Sequence, residues 1–157
     1  ISKPNPNAEI VPVDKDFGIV IPKIRANSKI ISQVDPYDSK VYQWALTKGV
    51  AQAKGTSNPD QNGNMFLFSH SSVDFFEARK YNSVFYLLSK LEKGDRIEIY
   101  FKQKKYTYIV SDKKLVSPTD VSYLKPNSIN KTLTLMTCWP PGTTFKRLLI
   151  IALPKTD

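Results

Sequence analysis

Short apolar runs, bounded by prolines, glycines and polar turn residues, recur along most of the chain and predict a mostly β protein. Alternation of apolar and polar residues is clearest at 96–101 and 106–110, which predict a β-hairpin. The other predicted strands occupy residues 17–22, 23–31, 50–54, 65–70, 131–138 and 145–153. Seven or eight strands against two short helices favour a closed barrel.

Two segments instead have helical spacing. In residues 38–48 the positions of Val41, Trp44, Ala45 and Lys48 are spaced by three and four, and Gly49 follows in the position favoured after a helix. A second short helix is predicted at 82–91, before Gly94, from a stripe formed by Val84, Phe85, Leu87, Leu88 and Leu91.

The chain is predicted to consist of an N-terminal segment and one domain that contains a long loop. Residues 1–16 contain three prolines and no sustained periodicity, which predicts an N-terminal linker or tail, with one domain at 17–157. Residues 111–130 are predicted to form a loop of about 20 residues, a length that usually has a functional reason.

Composition and net charge bear on membrane spanning and on binding of polyanions. The longest aliphatic run, residues 148–153, is far below the roughly 20 residues that span a bilayer. The formal net charge of +9 would attract polyanions, but the lysines and arginines are dispersed, which favours a solvated surface over a nucleic-acid or wall-polymer site.

The chain has one cysteine and one histidine, so it contains no internal disulfide and no multi-His or Cys-cluster metal site. Alternation places Cys138 opposite to the face of Leu133 and Leu135, and two prolines follow shortly after it. A thiol at a strand end beside a loop is in a reactive position. It still needs a neighbouring cation or base, because a thiol of ordinary pKa, about 8.5, is only a few per cent ionised at neutral pH.

His70, at the end of the predicted strand 65–70, could supply that base. Arg147 lies just inside the next strand after Cys138, and a hairpin would return it to within one or two rungs of the cysteine. Its guanidinium offers several N–H donors to a developing oxyanion. Taken alone, each of these residues is more often structural or solvated.

Three separated segments resemble the sortases. Residues 132–138, TLTLMTC, followed by Arg147, look like the Thr-Leu-x-Thr-Cys and downstream Arg signature of that family. Residues 64–72, NMFLFSHSS, resemble the strand that delivers the sortase histidine, and residues 21–24 match the first strand. The segments occur in the family's order over roughly 17–153. Within the family, the chain resembles the lid-less housekeeping or class D/E-like members.

This resemblance implies a closed eight-stranded sortase-type β-barrel with two or more short helices, and makes 17–157 the catalytic domain. It implies a cysteine transpeptidase with His70, Cys138 and Arg147 as catalytic residues. Cys138 would be the nucleophile, His70 the general acid and base, and Arg147 the oxyanion and substrate ligand. Two further residues would bind substrate: Thr137, next to the cysteine, and Val121, in the predicted loop at 111–130.

The implied partners are a Leu-Pro-x-Thr-Gly-like sorting signal of surface proteins and an amine of a peptidoglycan precursor or a pilin lysine. The implied location is the bacterial cell surface, with any membrane contact made by a segment outside this chain. No cofactor is expected. Asp60, Asp112 and Asp120 fall in loops at which some relatives bind calcium, but their spacing is not diagnostic.

The chain departs from the family at two points. Gln52 stands where many relatives have a second histidine. Residues 35–37, Asp-Pro-Tyr, resemble the lid tripeptide of pilin-polymerising members, but they follow the first strand, so we interpret them as a loop and helix start and expect no lid.

Two alternatives remain: another Cys–His transpeptidase or peptidase, and a non-catalytic binding module. An L,D-transpeptidase is also β-rich with His before Cys, but it requires Gly before its cysteine and Arg after it, where this chain has Thr137 and Trp139. A papain-like arrangement has the reverse order of Cys and His. The non-enzyme alternative is a basic barrel that binds wall polymers.

Overall fold

A computed structural model describes residues 9–70, 84–124, 129–140 and 143–156, and its strands close into a single barrel. The strands, in chain order, are β1 Phe17–Ile21, β2 Ala26–Val34, β3 Val50–Ala53, β4 Gly63–Phe68, β5 Arg96–Phe101, β6 Lys104–Val116, β7 Lys131–Trp139 and β8 Lys146–Pro154. Around the barrel they follow the order β1-β2-β3-β4-β7-β8-β6-β5, and β5 pairs with β1 to close it. The predicted mostly β, eight-stranded barrel is confirmed.

Strand alternation separates an inner core from an outer apolar layer. The inner core draws on all strands and includes Leu133, Leu135 and Ile150, each fully buried. The outer layer forms where helix α1, Ser39–Lys48, packs on β2 and β3, and Phe66 and Phe68 of β4 belong to the same layer. Because β4 pairs in parallel with β7, this outer layer continues onto the outer face of β7.

The first predicted helix is confirmed, but its buried face was only partly predicted. Asp38 caps α1 by accepting a hydrogen bond from Val41 N, and Gly49 follows its last residue. Ala45 and Leu46 contact the sheet, whereas Val41 and Trp44 are exposed. Spacing alone could not distinguish the two faces, because both carry apolar residues.

The second predicted helix is wrong over its described part, and residues 82–83 lie outside the described residues. A turn and a 3₁₀ helix at Leu88–Lys90 occupy this region. Phe85, Leu88 and Leu91 are fully buried, whereas Leu87 is 41% exposed. The spacing of three between the buried residues fits a 3₁₀ turn, in which positions i and i+3 lie on one side.

The predicted loop at 111–130 is also wrong in its first third. β6 continues to Val116; its pairing with β8 begins at Tyr108 and, after an irregularity between Val110 and Asp112, runs on to Val116. Lys113 and Lys114 interrupt the apolar pattern without ending the strand, since β8 supplies the ladder hydrogen bonds. The connection to β7 therefore begins at Ser117, and contains a 3₁₀ helix at Ser122–Leu124.

The described part of the N-terminal segment contacts the barrel. Val13 N donates to Asn27 Oδ1, and Asn27 Nδ2 donates to Val11 O. The β5–β6 turn donates from Lys102 N and Gln103 N to the carbonyls of Asp16 and Lys15. The domain boundary at Phe17 stays a prediction.

Candidate active site

The β7–β8 hairpin places Cys138 and Arg147 opposite each other. The antiparallel register pairs Leu135 with Ile150, Thr137 with Leu148 and Cys138 with Arg147. Directly opposed side chains lie on the same face of a sheet. The predicted spacing of one or two rungs is therefore met at a single rung.

The two faces of β7 differ in burial as alternation predicts. Leu133 and Leu135 are inside the barrel, and Thr137 on the same face is only 2% exposed. Cys138 is half-buried on the outer face. Thr137 Oγ1 donates to the carbonyl of Ser69 at 3.1 Å, so its described contact is with the backbone before His70. Direct contact of Thr137 with substrate stays a prediction.

The chain leading to His70 is held against β7. Phe68 pairs with Met136, and Ser69 N donates to Met136 O at 3.2 Å. Because β4 and β7 run in parallel, these bonds bring His70, two residues after Phe68, to the level of Cys138. The strand ends at Phe68, so His70 lies beyond the ladder, not at its last residue as predicted.

Two carbonyl groups, one in the β7–β8 connection and one at the start of β8, hold the Arg147 guanidinium. Arg147 Nη1 donates to Thr144 O at 3.2 Å and to Lys146 O at 3.3 Å. Both bonds use one terminal nitrogen of a group that carries five N–H donors. Arg147 is therefore oriented by its own hairpin while it stays half-exposed on the Cys138 face.

Tyr123, in the segment between β6 and β7, packs against the outer face of β4 and β7. Its ring stacks on Phe66 with centroids 5.4 Å apart and an interplanar angle of 14°. Its hydroxyl lies 3.4 Å from Met136 Sδ, two residues before Cys138. Burial raises the pKa of Tyr123, which the nearby positive charge of Arg147 opposes, so the phenol is neutral at physiological pH.

A groove of about 350 Å³ lies between this connection and the outer barrel face. Leu149 and Ile151 of β8 form part of its floor, and Leu149 pairs with Met136 of β7. Tyr123 forms part of its wall. Val121 is 47% exposed and is not among the described residues that line the groove, so its role as a substrate contact stays a prediction.

Sequence reasoning missed the residues that position the others. Ser69 and Tyr123 act through a backbone carbonyl and a ring stack, and such contacts leave no pattern in a single sequence. The only available signal for Tyr123 was a lone aromatic residue in a polar connection. Asn64 belongs to the sequence motif around His70, but nothing in the sequence indicates that it accepts two hydrogen bonds from β7.

The two departures from the family pattern have structural explanations. Gln52 is fully buried, and its Nε2 donates to Ser57 O and Asn58 Oδ1, which secures the β3–β4 connection. Residues 35–37 form a turn before α1, in which Asp35 Oδ1 accepts from Tyr37 N. This agrees with the interpretation of a loop and helix start.

The described residues contain no group of three or more metal-ligating side chains among His, Cys, Asp and Glu. Asp112 lies 3.6 Å from Lys114, and Asp120 accepts from Ser122 N and Oγ. Over the same part of the chain, no helix has the length and apolar character needed to cross a membrane.

Comparison with known proteins agrees with the geometry. The Sortase domain family model matches residues 19–155, and the chain therefore belongs to the sortase family. It is 31% identical to Sortase D of Bacillus subtilis over 133 residues, which is 83% of this chain and 59% of that protein. The chain thus spans less than two thirds of this relative, whose name is consistent with the class D/E-like resemblance.

Solved structures show the same fold. Sortase A from Corynebacterium diphtheriae, as a lid mutant, matches with a TM-score of 0.75 at 23% identity, covering 92% of this chain and 72% of that one. A Sortase D5 transpeptidase from Clostridium perfringens matches with a TM-score of 0.71 at 25% identity, covering 94% and 83%.

Proposed function

We propose that the chain is a cysteine transpeptidase that cleaves a Leu-Pro-x-Thr-Gly-like sorting signal and transfers the acyl part to an amine. The observation that carries this proposal is the rung that pairs Cys138 with Arg147 at the end of β7. The bonds from Ser69 and Thr137, which hold the approach to His70 against the same strand, support it further.

In the first half-reaction, the Cys138 thiolate attacks the carbonyl carbon of the scissile peptide bond. A C–S bond forms and the carbonyl oxygen becomes an oxyanion, which Arg147 stabilises with N–H donors. His70 donates a proton to the amide nitrogen as the C–N bond breaks. The products are a free amine and a thioester on Cys138.

In the second half-reaction, an incoming amine attacks the thioester carbon. His70 accepts the proton of that amine, the C–S bond breaks, and the Cys138 thiolate leaves. The product is a new amide. The same residue serves first as acid and then as base, so the two half-reactions need no further proton carrier.

The proposed partners are those that the resemblance to sortases implies. The acyl donor is a surface protein that carries the sorting signal, and the acceptor is an amine of a peptidoglycan precursor or a pilin lysine. The reaction would take place at the bacterial cell surface, where both partners are exposed. Membership of the sortase family supports both statements.

Hydroxylamine trapping tests the proposal. The full chain is incubated with a Leu-Pro-x-Thr-Gly peptide library and hydroxylamine, and products are identified by mass spectrometry. We expect peptide hydroxamates ending at Thr, because hydroxylamine captures a thioester. Hydroxamate formation that is unchanged in Cys138→Ala would contradict the assigned nucleophile, and binding of wall polymers without any cleavage would favour the non-enzyme alternative.

The cysteine–histidine pair has a test that needs no substrate. If His70 and Cys138 titrate as a coupled pair, the pH profile of Cys138 alkylation by iodoacetamide changes in His70→Ala. The chain has a single thiol, so labelling reports on Cys138 alone. Superimposed profiles for the two proteins would exclude the pair.

A further inference from the structure

The groove beside Tyr123 is lined along β7 by Thr134 and Thr132, which lie four and six residues before Cys138. Along β7, the outer face carries Cys138, Met136, Thr134 and Thr132, and the groove reaches Thr132 and Asn64. At about 3.3 Å per residue, Thr132 lies about 20 Å along the strand from Cys138. An extended peptide has a similar rise, so this end faces a substrate residue five or six positions from the scissile bond.

Asn64 is held in one orientation at that end. It pairs with Thr132 in the parallel β4–β7 register. The hydroxyls of Thr132 and Thr134 both donate to Asn64 Oδ1, each at 2.9 Å. The carboxamide oxygen is thereby occupied, and Nδ2 with its two N–H donors is the polar group that Asn64 can present to a ligand in the groove.

The charges near this end nearly cancel. Lys114 and Asp120 both line the groove. Lys114 is 3.6 Å from Asp112, and Asp120 accepts two hydrogen bonds from Ser122. Selection at Asn64 therefore depends on hydrogen bonding more than on net charge.

We propose that Asn64 forms a specificity subsite for the acyl side of the substrate, and that it selects a hydrogen-bond acceptor, such as a glutamine side chain, five or six residues before the scissile bond. This inference rests on the proposed function, in which cleavage follows Thr and the motif lies along the outer face of β7 between Cys138 and this groove. A side chain one or two positions before the motif would then accept from Asn64 Nδ2.

The test uses peptides with one motif and either Gln or Met at these two upstream positions, since Gln and Met have similar length and shape. For the wild type we expect kcat/KM to be about three- to tenfold higher for Gln, the effect of one neutral hydrogen bond. In Asn64→Asp the Thr132 and Thr134 hydroxyls keep their acceptor, so the fold is retained, but the donor is lost. The Gln preference should disappear, and a Lys peptide should become the better substrate.

Asn62→Asp is the matched control, because it adds the same charge two residues earlier at an exposed position. It should leave the Gln to Met ratio unchanged. The subsite would be overturned if the Gln to Met ratio of kcat/KM persisted in Asn64→Asp. It would also be overturned if Asn62→Asp changed this ratio as much as Asn64→Asp does. A preference confined to residues after the scissile bond would overturn it as well.

Binding to Cys138→Ala separates the subsite from catalysis. The Kd ratio of the Gln and Met peptides is measured by fluorescence anisotropy for Cys138→Ala with and without Asn64→Asp. The subsite is supported if the Met peptide has a Kd at least about three times that of the Gln peptide in Cys138→Ala, and if this difference disappears when Asn64→Asp is added. If the wild type nevertheless cleaves neither peptide, only the proposed function fails. Equal Kd values in Cys138→Ala overturn the subsite even if the wild type cleaves both.

Discussion

The nine residues of β7, Lys131–Trp139, alternate between an inner and an outer face, and the two faces have different roles. The inner face contributes Leu133 and Leu135 to a core in which they are fully buried. The outer face presents Cys138 at half burial beside Arg147, with Met136 under the Tyr123 hydroxyl. A well-packed inner face keeps the strand in register, and the register is what places the reactive groups. Stability and chemistry should therefore respond to substitutions on opposite faces.

The largest expected effect is on chemistry alone. Cys138→Ala should reduce peptide cleavage and hydroxamate formation by more than about 10³-fold, because it removes the nucleophile. The half-buried thiol contributes little packing, so the melting temperature should stay within about 2 °C of wild type. Parallel turnover and thermal-melt assays check both parts. Retention of more than a few per cent of activity would remove Cys138 from the mechanism.

Arg147→Lys tests whether geometry or charge matters on the outer face. An ammonium cannot reproduce the planar fork that Thr144 O and Lys146 O orient, so turnover should fall by about 10²- to 10³-fold, nearly as far as in Arg147→Ala. Lys146→Arg, at the neighbouring exposed position, is the charge-preserving control and should leave turnover within about twofold. If turnover of the Arg147→Lys variant stays close to that of the wild type, only long-range charge is needed.

Leu135→Ala probes the inner face. It should lower the free energy of unfolding by about 2 to 5 kcal/mol, because Leu135 is fully buried and its truncation leaves a cavity. Urea titration measures this loss. Under conditions where the variant remains folded, the thiol should still react with iodoacetamide. If Leu135→Ala kept its stability but its Cys138 thiol reacted much more slowly, the inner face would not serve stability alone.

Tyr123 is expected to have a smaller effect that separates its ring from its hydroxyl. Tyr123→Ala removes the stack on Phe66 and should lower kcat/KM by about tenfold, whereas Tyr123→Phe keeps the ring and should stay within about threefold. Val121→Ala tests the other predicted substrate contact in the same connection. If Val121→Ala costs more than Tyr123→Ala, the exposed Val121 and not Tyr123 contacts the substrate.

The smallest effect is expected away from both faces, at Asp95. Burial opposes ionisation of this carboxyl, but the hydrogen bond from Glu92 N and the contact with Lys23 at 2.9 Å lower its pKa below the ordinary value. A lowered folded-state pKa stabilises the protein above the unfolded-state value, and this stabilisation is lost as the pH falls through the folded-state value.

Asp95→Asn should thus lower the melting temperature by about 1 to 3 °C at pH 7 and by less at about pH 3. Asp112→Asn is the control, because its contact with Lys114 is longer, 3.6 Å, and both side chains are more than half exposed. A deficit of Asp95→Asn that grows on acidification would have the wrong sign.

Much of the fold could be predicted because it depends on local pattern. The β5–β6 hairpin, helix α1 and the β7–β8 hairpin all lie close to their predicted positions. The errors arose where a distant strand decides the outcome. Residues 111–116 resemble a loop in sequence because of their lysines and polar residues, yet β8 pairs with them. Residues 84–91 have the spacing of an α-helix, yet packing of Phe85, Leu88 and Leu91 in the barrel selects a tighter turn.

The candidate site shows the same division. The sequence by itself determined that Cys138 lies off the leucine face and that a hairpin returns Arg147 toward it, because a strand alternates with period two and a short connection limits the register. Only the tertiary structure decided that β4 runs parallel to β7, so that Ser69 bonds to Met136 and His70 reaches the level of Cys138. It also decided that Tyr123 stacks on Phe66 and that Asn64 accepts from Thr132 and Thr134. These contacts join residues about 57 to 70 positions apart, and at such separations one sequence carries no periodic signal, so the parallel pairing of β4 with β7 is what brings them together.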